Sequence, residues 1–327
     1  MMQQMMLGHG AAAGIDVDDV FAATAYTGNA SSSRSINNGL DLDGEGGIVW
    51  IKSRNLTNDH VLHSTSWYAP GALTPNKQGD FISHGSVLTA YNNNGWTMGN
   101  NGLVNGYNDT YVAWSFRKAS KFFDVVSYTG NGTAGRTVSH NLGTVPGMIW
   151  VKQTNGSSDW IVYHKGLGNT KFIRLNTNGA AQTFSVWNNT TPTATEFTVG
   201  SLGAINGSGN NFTAFLFADE DPIKCGSYVG NSSLNNGPTV NLGFEPQWVL
   251  IKAADVTGQN WNIFDSSRGF TSSAGQTDGK ILRANSQNSE STGRTIITTS
   301  TGFQVMDASN ELNSGQDSYV YMAIAAS

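Results

Sequence analysis

Lys52, Lys152 and Lys252 lie one hundred residues apart, and each ends a similar apolar run: Ile48-Val49-Trp50-Ile51-Lys52, Met148-Ile149-Trp150-Val151-Lys152 and Trp248-Val249-Leu250-Ile251-Lys252. Upstream of the three runs stand Tyr26-Thr27-Gly28-Asn29, Tyr128-Thr129-Gly130-Asn131 and Tyr228-Val229-Gly230-Asn231. A period of this length requires one structural unit built three times, each long enough to bury a core of its own. The 327 residues therefore divide into an N-terminal arm over 1–18 and repeats over 19–118, 119–219 and 220–327.

Within a repeat the apolar runs are short and are separated by Gly, Asn, Ser and Thr, with no helical period. Charged residues make up only 13% and glycines number 39, a turn-rich composition. The expectation is an all-β chain: three tandem jelly-roll-like or Greek-key β-sandwich domains preceded by a short N-terminal arm. The most regular strand closes each repeat, as Tyr111-Val112-Ala113-Trp114-Ser115-Phe116, Phe212-Thr213-Ala214-Phe215-Leu216-Phe217 and Tyr319-Val320-Tyr321-Met322-Ala323-Ile324. Both of its faces are largely apolar, which places it centrally in a sheet covered on each side. The linkers Arg117-Lys118-Ala119-Ser120-Lys121 and Asp219-Glu220-Asp221-Pro222 are short and charged, so neighbouring domains should sit like stiff beads.

Net charge is −5 with no cluster of Lys or Arg, which argues against nucleic acid as a partner. The first residues hold no sustained apolar run, so neither a secretory signal nor membrane insertion is expected. The repeated Asn-X-Ser/Thr triplets read as turn chemistry. The single Cys225 excludes an intrachain disulfide and sits in a strand-like run, as a small buried residue would.

Candidate chemistry is sparse. Lys52 and Asp59, and Lys152 and Asp159, should face each other across a hairpin as rim ion pairs, whereas the third repeat has Asn260 in that place. Two converging carboxylates, as a glycosidase needs, are not evident. His60 and His63, three apart on a strand, point to opposite faces and make no chelate; His84 could join one of them only across a loop. Asp41-Leu42-Asp43-Gly44-Glu45-Gly46 lacks the distal Glu of a calcium loop and reads as an acidic turn. No catalytic, cofactor-binding or metal-binding residues are assigned, and no cofactor is expected.

Trp50, Trp150, Trp160, Trp248 and Trp261 recur at matched strand positions and should be core. Trp67, Trp96 and Trp187 fall beside Gly- or Asn-rich loops, where a ring with amides nearby could stack on a sugar; these are the glycan-contact candidates. Met1, Met2, Met5, Met6 and Leu7 of the arm could fill gaps in a partner surface.

The run Phe122-Phe123-Asp124-Val125-Val126-Ser127-Tyr128-Thr129-Gly130-Asn131-Gly132, with His140-Asn141-Leu142-Gly143-Thr144-Val145-Pro146-Gly147-Met148-Ile149 and Asp159-Trp160-Ile161-Val162-Tyr163-His164, resembles a repeat of uncharacterised function found in virion proteins of tailed phages, especially marine phages and cyanophages. Ile15-Asp16-Val17-Asp18-Asp19-Val20-Phe21 is similar to the start of several such proteins. The resemblance covers nearly the whole chain after residue 14 and is weakest in the first repeat, which lacks the Leu-Gly and Pro before Lys52. It implies a non-enzymatic virion component, often labelled tail fibre or structural protein, assembled in the host cytoplasm and exposed on the particle. Its implied partners are other virion proteins of capsid or tail, further copies of itself with a trimer among the forms, and host surface glycan. A capsid or tail decoration protein is the alternative, and a polysaccharide-cleaving enzyme a remoter one. The resemblance transfers no site residues.

Overall fold

The computed structural model describes residues 14–67, 71–79, 82–83, 87–272 and 279–327. The arm candidates Met1, Met2, Met5, Met6 and Leu7, and also His84, lie outside these residues.

The protein is an all-β sandwich fold, with 42% of the chain in strands and 5% in helices. Among the described residues, strands pair antiparallel and only within their own repeat. In the first repeat Phe21–Thr27, Thr110–Arg117, Gly47–Ser53 and Val61–Ser64 form a sheet in that spatial order. The second repeats it with Phe123–Thr129, Asn211–Phe217, Met148–Gln153 and Ile161–His164, extended by Lys171–Arg174 and Gln182–Thr183. The third does so with Ile223–Val229, Ser318–Ala325, Pro246–Ala253, Trp261–Asp265 and Leu282–Arg283. The closing strand is central each time, as its two apolar faces require. Registers match as well: Trp50 faces Trp114, Trp150 faces Phe215 and Leu250 faces Met322. A smaller sheet covers one face, built from Arg34–Asn37, Gly95–Met98 and Leu88–Asn92 in the first repeat and from Thr239–Asn241, Gly302–Val305 and Ile296–Thr299 in the third.

The strand Gly47–Ser53 is buried at every position, and its alternation sorts the side chains into two cores. Val49 and Ile51 pack with Ile36, Trp96 and Met98 inside the first sandwich. Ile48 and Trp50 point the other way, into a core shared by all three repeats. Val249 and Ile251 against Trp248 and Leu250 divide likewise in the third repeat. Phe116 of the first repeat has its ring 5.5 Å from that of Phe217 in the second and 5.9 Å from that of Trp248 in the third. Trp50 and Trp150 meet edge to face at 5.6 Å.

The repeats are therefore not stiff beads. Contact follows a cycle in which position 160 or its equivalent reaches the preceding repeat. Trp160 Nε1 donates to Thr74 O at 3.1 Å, and Trp261 Nε1 donates to Arg174 O at 2.8 Å. The matched residue of the first repeat is His60, whose Nε2 lies 3.0 Å from both Arg283 O and Ser286 O of the third. Its Nδ1 accepts from Trp50 Nε1–H at 2.9 Å, so the proton sits on Nε2 and points at those carbonyls. Thr74, Arg174 and Arg283 are themselves equivalent, each following a residue (Leu73, Ile173 or Leu282) that pairs with Leu62, Val162 or Ile263. The cycle closes on itself: one chain forms a pseudo-threefold ring, and Ser327 Oγ at its end donates to Asp18 Oδ1 at 2.6 Å.

The opening Tyr-X-Gly-Asn pattern has a local cause. Asn105, Asn206 and Asn313 are fully buried, and their Oδ1 atoms accept from the backbone N–H groups of Asn29, Asn131 and Asn231 at 2.7–3.0 Å. Tyr26, Tyr128 and Tyr228 donate their hydroxyls to the carbonyls of Val104, Ile205 and Leu312. The intervening glycines pass so close that a Cβ would lie 2.0, 2.2 and 2.0 Å from the carbonyl oxygens of Gly106, Gly207 and Ser314. The motif is a latch tying the first strand to the loop before the closing strand.

Candidate functional site

The lysines that mark the repeat are not rim partners of Asp59 and Asp159. All three are fully buried on the shared-core side of their strands. Lys52 Nζ donates to Ser53 O and Leu56 O, Lys152 Nζ to Gln78 O and Ser158 O, and Lys252 Nζ to Ala253 O. Burial lowers Lys52 and Lys252 to about 8, with the Asp59 charge opposing the shift in the first and Glu311 in the second. Asp59 binds Lys77 and Asn76 instead; Asp159 binds Arg174, Asn176 and Gln78. Lys152 thereby reaches the first repeat through Gln78 O, whereas Lys52 and Lys252 bond carbonyls of their own repeats.

Cys225 is buried and free, and burial pushes its thiol well up, away from nucleophilic character. His60 and His164 are committed to junctions: His164 Nδ1 accepts from Gly166 N–H, and its Nε2 donates to Tyr321 O at 2.9 Å. Among the described residues no group of His, Cys, Asp or Glu is arranged to hold a metal ion. Asp41 Oδ1 accepts from Gly44 N–H at 2.8 Å, within a turn.

Of the three glycan-contact candidates, two are core. Trp96 and Trp187 are 0% exposed. Trp96 meets Tyr26 edge to face at 5.9 Å, while Trp187 donates to Lys171 O and meets the edge of Tyr163. A ring with no exposed face cannot stack on a sugar. Neighbouring asparagines mimic a binding loop in the sequence, yet they only turn the chain as it enters or leaves the core.

Trp67 differs. It is half-buried, donates Nε1–H to Gly71 O at 3.2 Å, and meets Phe215 of the second repeat edge to face at 5.9 Å. It lines a cavity of about 290 Å³ at the junction of repeats one and two, opposite Ser127, Tyr128, Thr129, Thr154, Asn211, Phe212 and Thr213. The strand Phe123–Thr129 runs beside Asn211–Phe217, so Ser127 and Thr213 are direct partners with hydroxyl oxygens 3.3 Å apart. Thr129 Oγ1 donates to Asn211 Oδ1 at 3.1 Å, and Thr154 Oγ1 to Asn211 O at 3.2 Å. Hydroxyls, an amide and aromatic rings thus share one uncharged groove. Only Trp67 of this set is distinguishable in the sequence; the rest look like ordinary solvent-side strand residues until the ring brings two repeats together.

The same place at the junction of repeats three and one is filled. Arg268, three residues after Asp265 as Trp67 is three after Ser64, has its guanidinium 5.8 Å from the Trp114 ring. Arg268 Nε bonds Asp265 Oδ2 at 2.7 Å with both side chains fully buried, and Trp114 Nε1 donates to the same oxygen at 2.8 Å. Arg268 also reaches Glu290, which Arg54 grips through two bonds of 2.9 Å. At the remaining junction the position is Leu167, packed on the shared core.

No curated protein matches the chain. One family model, however, matches a single stretch that runs through all three repeats, as a body with a common core would require, and by that match over residues 16–327 the chain belongs to the family described as Domain of unknown function (DUF7483).

Proposed function

We propose that this protein is a non-catalytic structural component of a phage particle that displays its sandwiches outward, as a tail-fibre adhesin contacting host surface glycan does. The observation that supports this reading is the closed ring: three sandwiches interlocked through Trp160, Trp261 and His60 make one rigid body from a single chain. Rigid β bodies with polar loops at their ends carry binding surfaces on a scaffold that does not deform. The resemblance of the second repeat to phage virion repeats points the same way.

A decoration protein that clamps neighbouring subunits is the second reading, and the pseudo-threefold ring favours it specifically, since such a body presents three related faces to surrounding copies. The two readings differ in location. Cryo-microscopy of the intact particle should find the chain at the tail; regular copies across the head would select the decoration reading and rule out the adhesin.

A further inference from the structure

We infer that the groove between repeats one and two is a binding subsite for an uncharged saccharide, with Trp67 as its aromatic wall. The inference deepens the adhesin reading and rests on it for its biological meaning, but the binding itself is a property of this chain alone.

Three observations carry it. First, Trp67, Ser127, Thr129, Thr154, Asn211 and Thr213 supply an indole, four hydroxyls and an amide, and with Tyr128 and Phe212 they make a lining without one charged side chain. A sugar ring offers the complement, an apolar C–H face and a rim of hydroxyls that both donate and accept. A phosphate or carboxylate would find no cation in that lining, and a wholly apolar ligand would leave unused the acceptor lone pairs of hydroxyls that already donate to Asn211 or to each other. Second, the cavity of about 290 Å³ is bounded by two rigid strands and the edge-to-face Trp67–Phe215 contact, so its wall is set before any ligand arrives. Third, the ring offers this place three times and treats it differently each time. One copy is closed by the Arg268, Asp265 and Glu290 ion network and one carries Leu167, while the copy with a tryptophan is lined by hydroxyls. Sealing the junction does not require an indole beside an open groove, because leucine packs at one of the other two.

The test uses the full chain and a panel of glucose, galactose, mannose and N-acetylglucosamine with their disaccharides, and glucuronate and sialic acid as charged counterparts, read by saturation-transfer NMR and titration calorimetry. At least one neutral sugar should bind, more tightly than its charged counterpart. Asn211→Ala and Ser127→Tyr change exposed side chains outside the core, so they should keep the melting temperature while weakening binding by at least about tenfold. Trp67→Ala should abolish binding; if it also loosens the junction, the other two variants still decide. The inference is overturned if no neutral sugar binds the wild-type chain, or if Asn211→Ala and Ser127→Tyr leave binding unchanged. Either result leaves the particle location, measured separately, untouched.

Discussion

The Trp160 indole of the second repeat donates its Nε1–H to the Thr74 carbonyl of the first across 3.1 Å, with both groups out of water. Its equivalents Trp261 and His60 make the same bond to the repeats that precede them around the ring. Since no repeat completes its outer core without its neighbours, the folding unit is the ring.

Thermal unfolding should therefore be one transition, with calorimetric and van't Hoff enthalpies in agreement. Trp160→Phe keeps an aromatic ring but removes one of the two hydrogen bonds to the Thr74 carbonyl, which keeps the Lys77 N–H, at a cost of about 0.5–1.5 kcal/mol. In a single cooperative unit of this size that lowers the midpoint by roughly 1.5 °C per kcal/mol while the transition stays single. Three separate transitions in differential scanning calorimetry would mean that the shared core does not couple the repeats.

Acid should weaken the ring through the imidazoles of His60 and His164, which bond across repeat junctions. Burial holds His60 down to about 3, helped by the Lys52 charge, and His164 down to about 4. Their unfolded values lie near 6.5, so below that pH the unfolded chain binds more protons and stability falls. The loss begins as pH drops through about 6.5 and ends near the folded values, with a limiting slope of about 1.4 kcal/mol per pH unit for each histidine. His164→Gln should flatten the dependence of urea midpoint on pH between 6.5 and 4.5 relative to wild type. A slope identical to wild type would mean that His164 does not stay neutral in the fold.

The strands and the repeat were legible because alternation and turn residues are local signals. Tyr128 to Asn131 and Met148 to Lys152 carry them in a few consecutive residues. The ring was not legible, because its bonds come from residues that already had an adequate local explanation. Trp160 and Trp261 read as core, which they are, but only the direction of the indole N–H makes them junction residues. The usable signal was His60 in the tryptophan column: what the two side chains share is a ring N–H donor, not hydrophobicity. The glycan candidates failed for a related reason. Trp96 and Trp187 have asparagines beside them in the sequence, but side-chain direction, which decides exposure, is set by strand register.

Lys252 gives a test of the same sign in an alkaline window. Its folded value near 8 lies below the unfolded 10.4 or so, so the folded state sheds its proton first and stability rises with pH between about 8 and 10.4. Lys252→Met removes that dependence. Compared by urea midpoint, wild type should gain on the variant as pH rises from 7.5 to 9.5; a constant difference would mean that the ammonium is well solvated in the fold.

The Asp265–Arg268 pair should behave as a buried ion pair rather than a surface one. Both side chains are fully buried and 2.7 Å apart, and Asp265 also accepts from Trp114 and Ser267. Arg268→Met leaves the carboxylate without its cation, and Asp265→Leu leaves the guanidinium facing only Glu290 and carbonyl oxygens; each should cost about 3–5 kcal/mol. The double variant removes both charges and should be less destabilised than the sum of the singles by well over 1 kcal/mol, since paired hydrophobic replacements refill the space. Chemical denaturation of the four proteins in the cycle measures the coupling. Additive losses would show that the two charges are held independently, Asp265 by Trp114 and Ser267 and Arg268 by Glu290, and that the third junction is closed by packing alone.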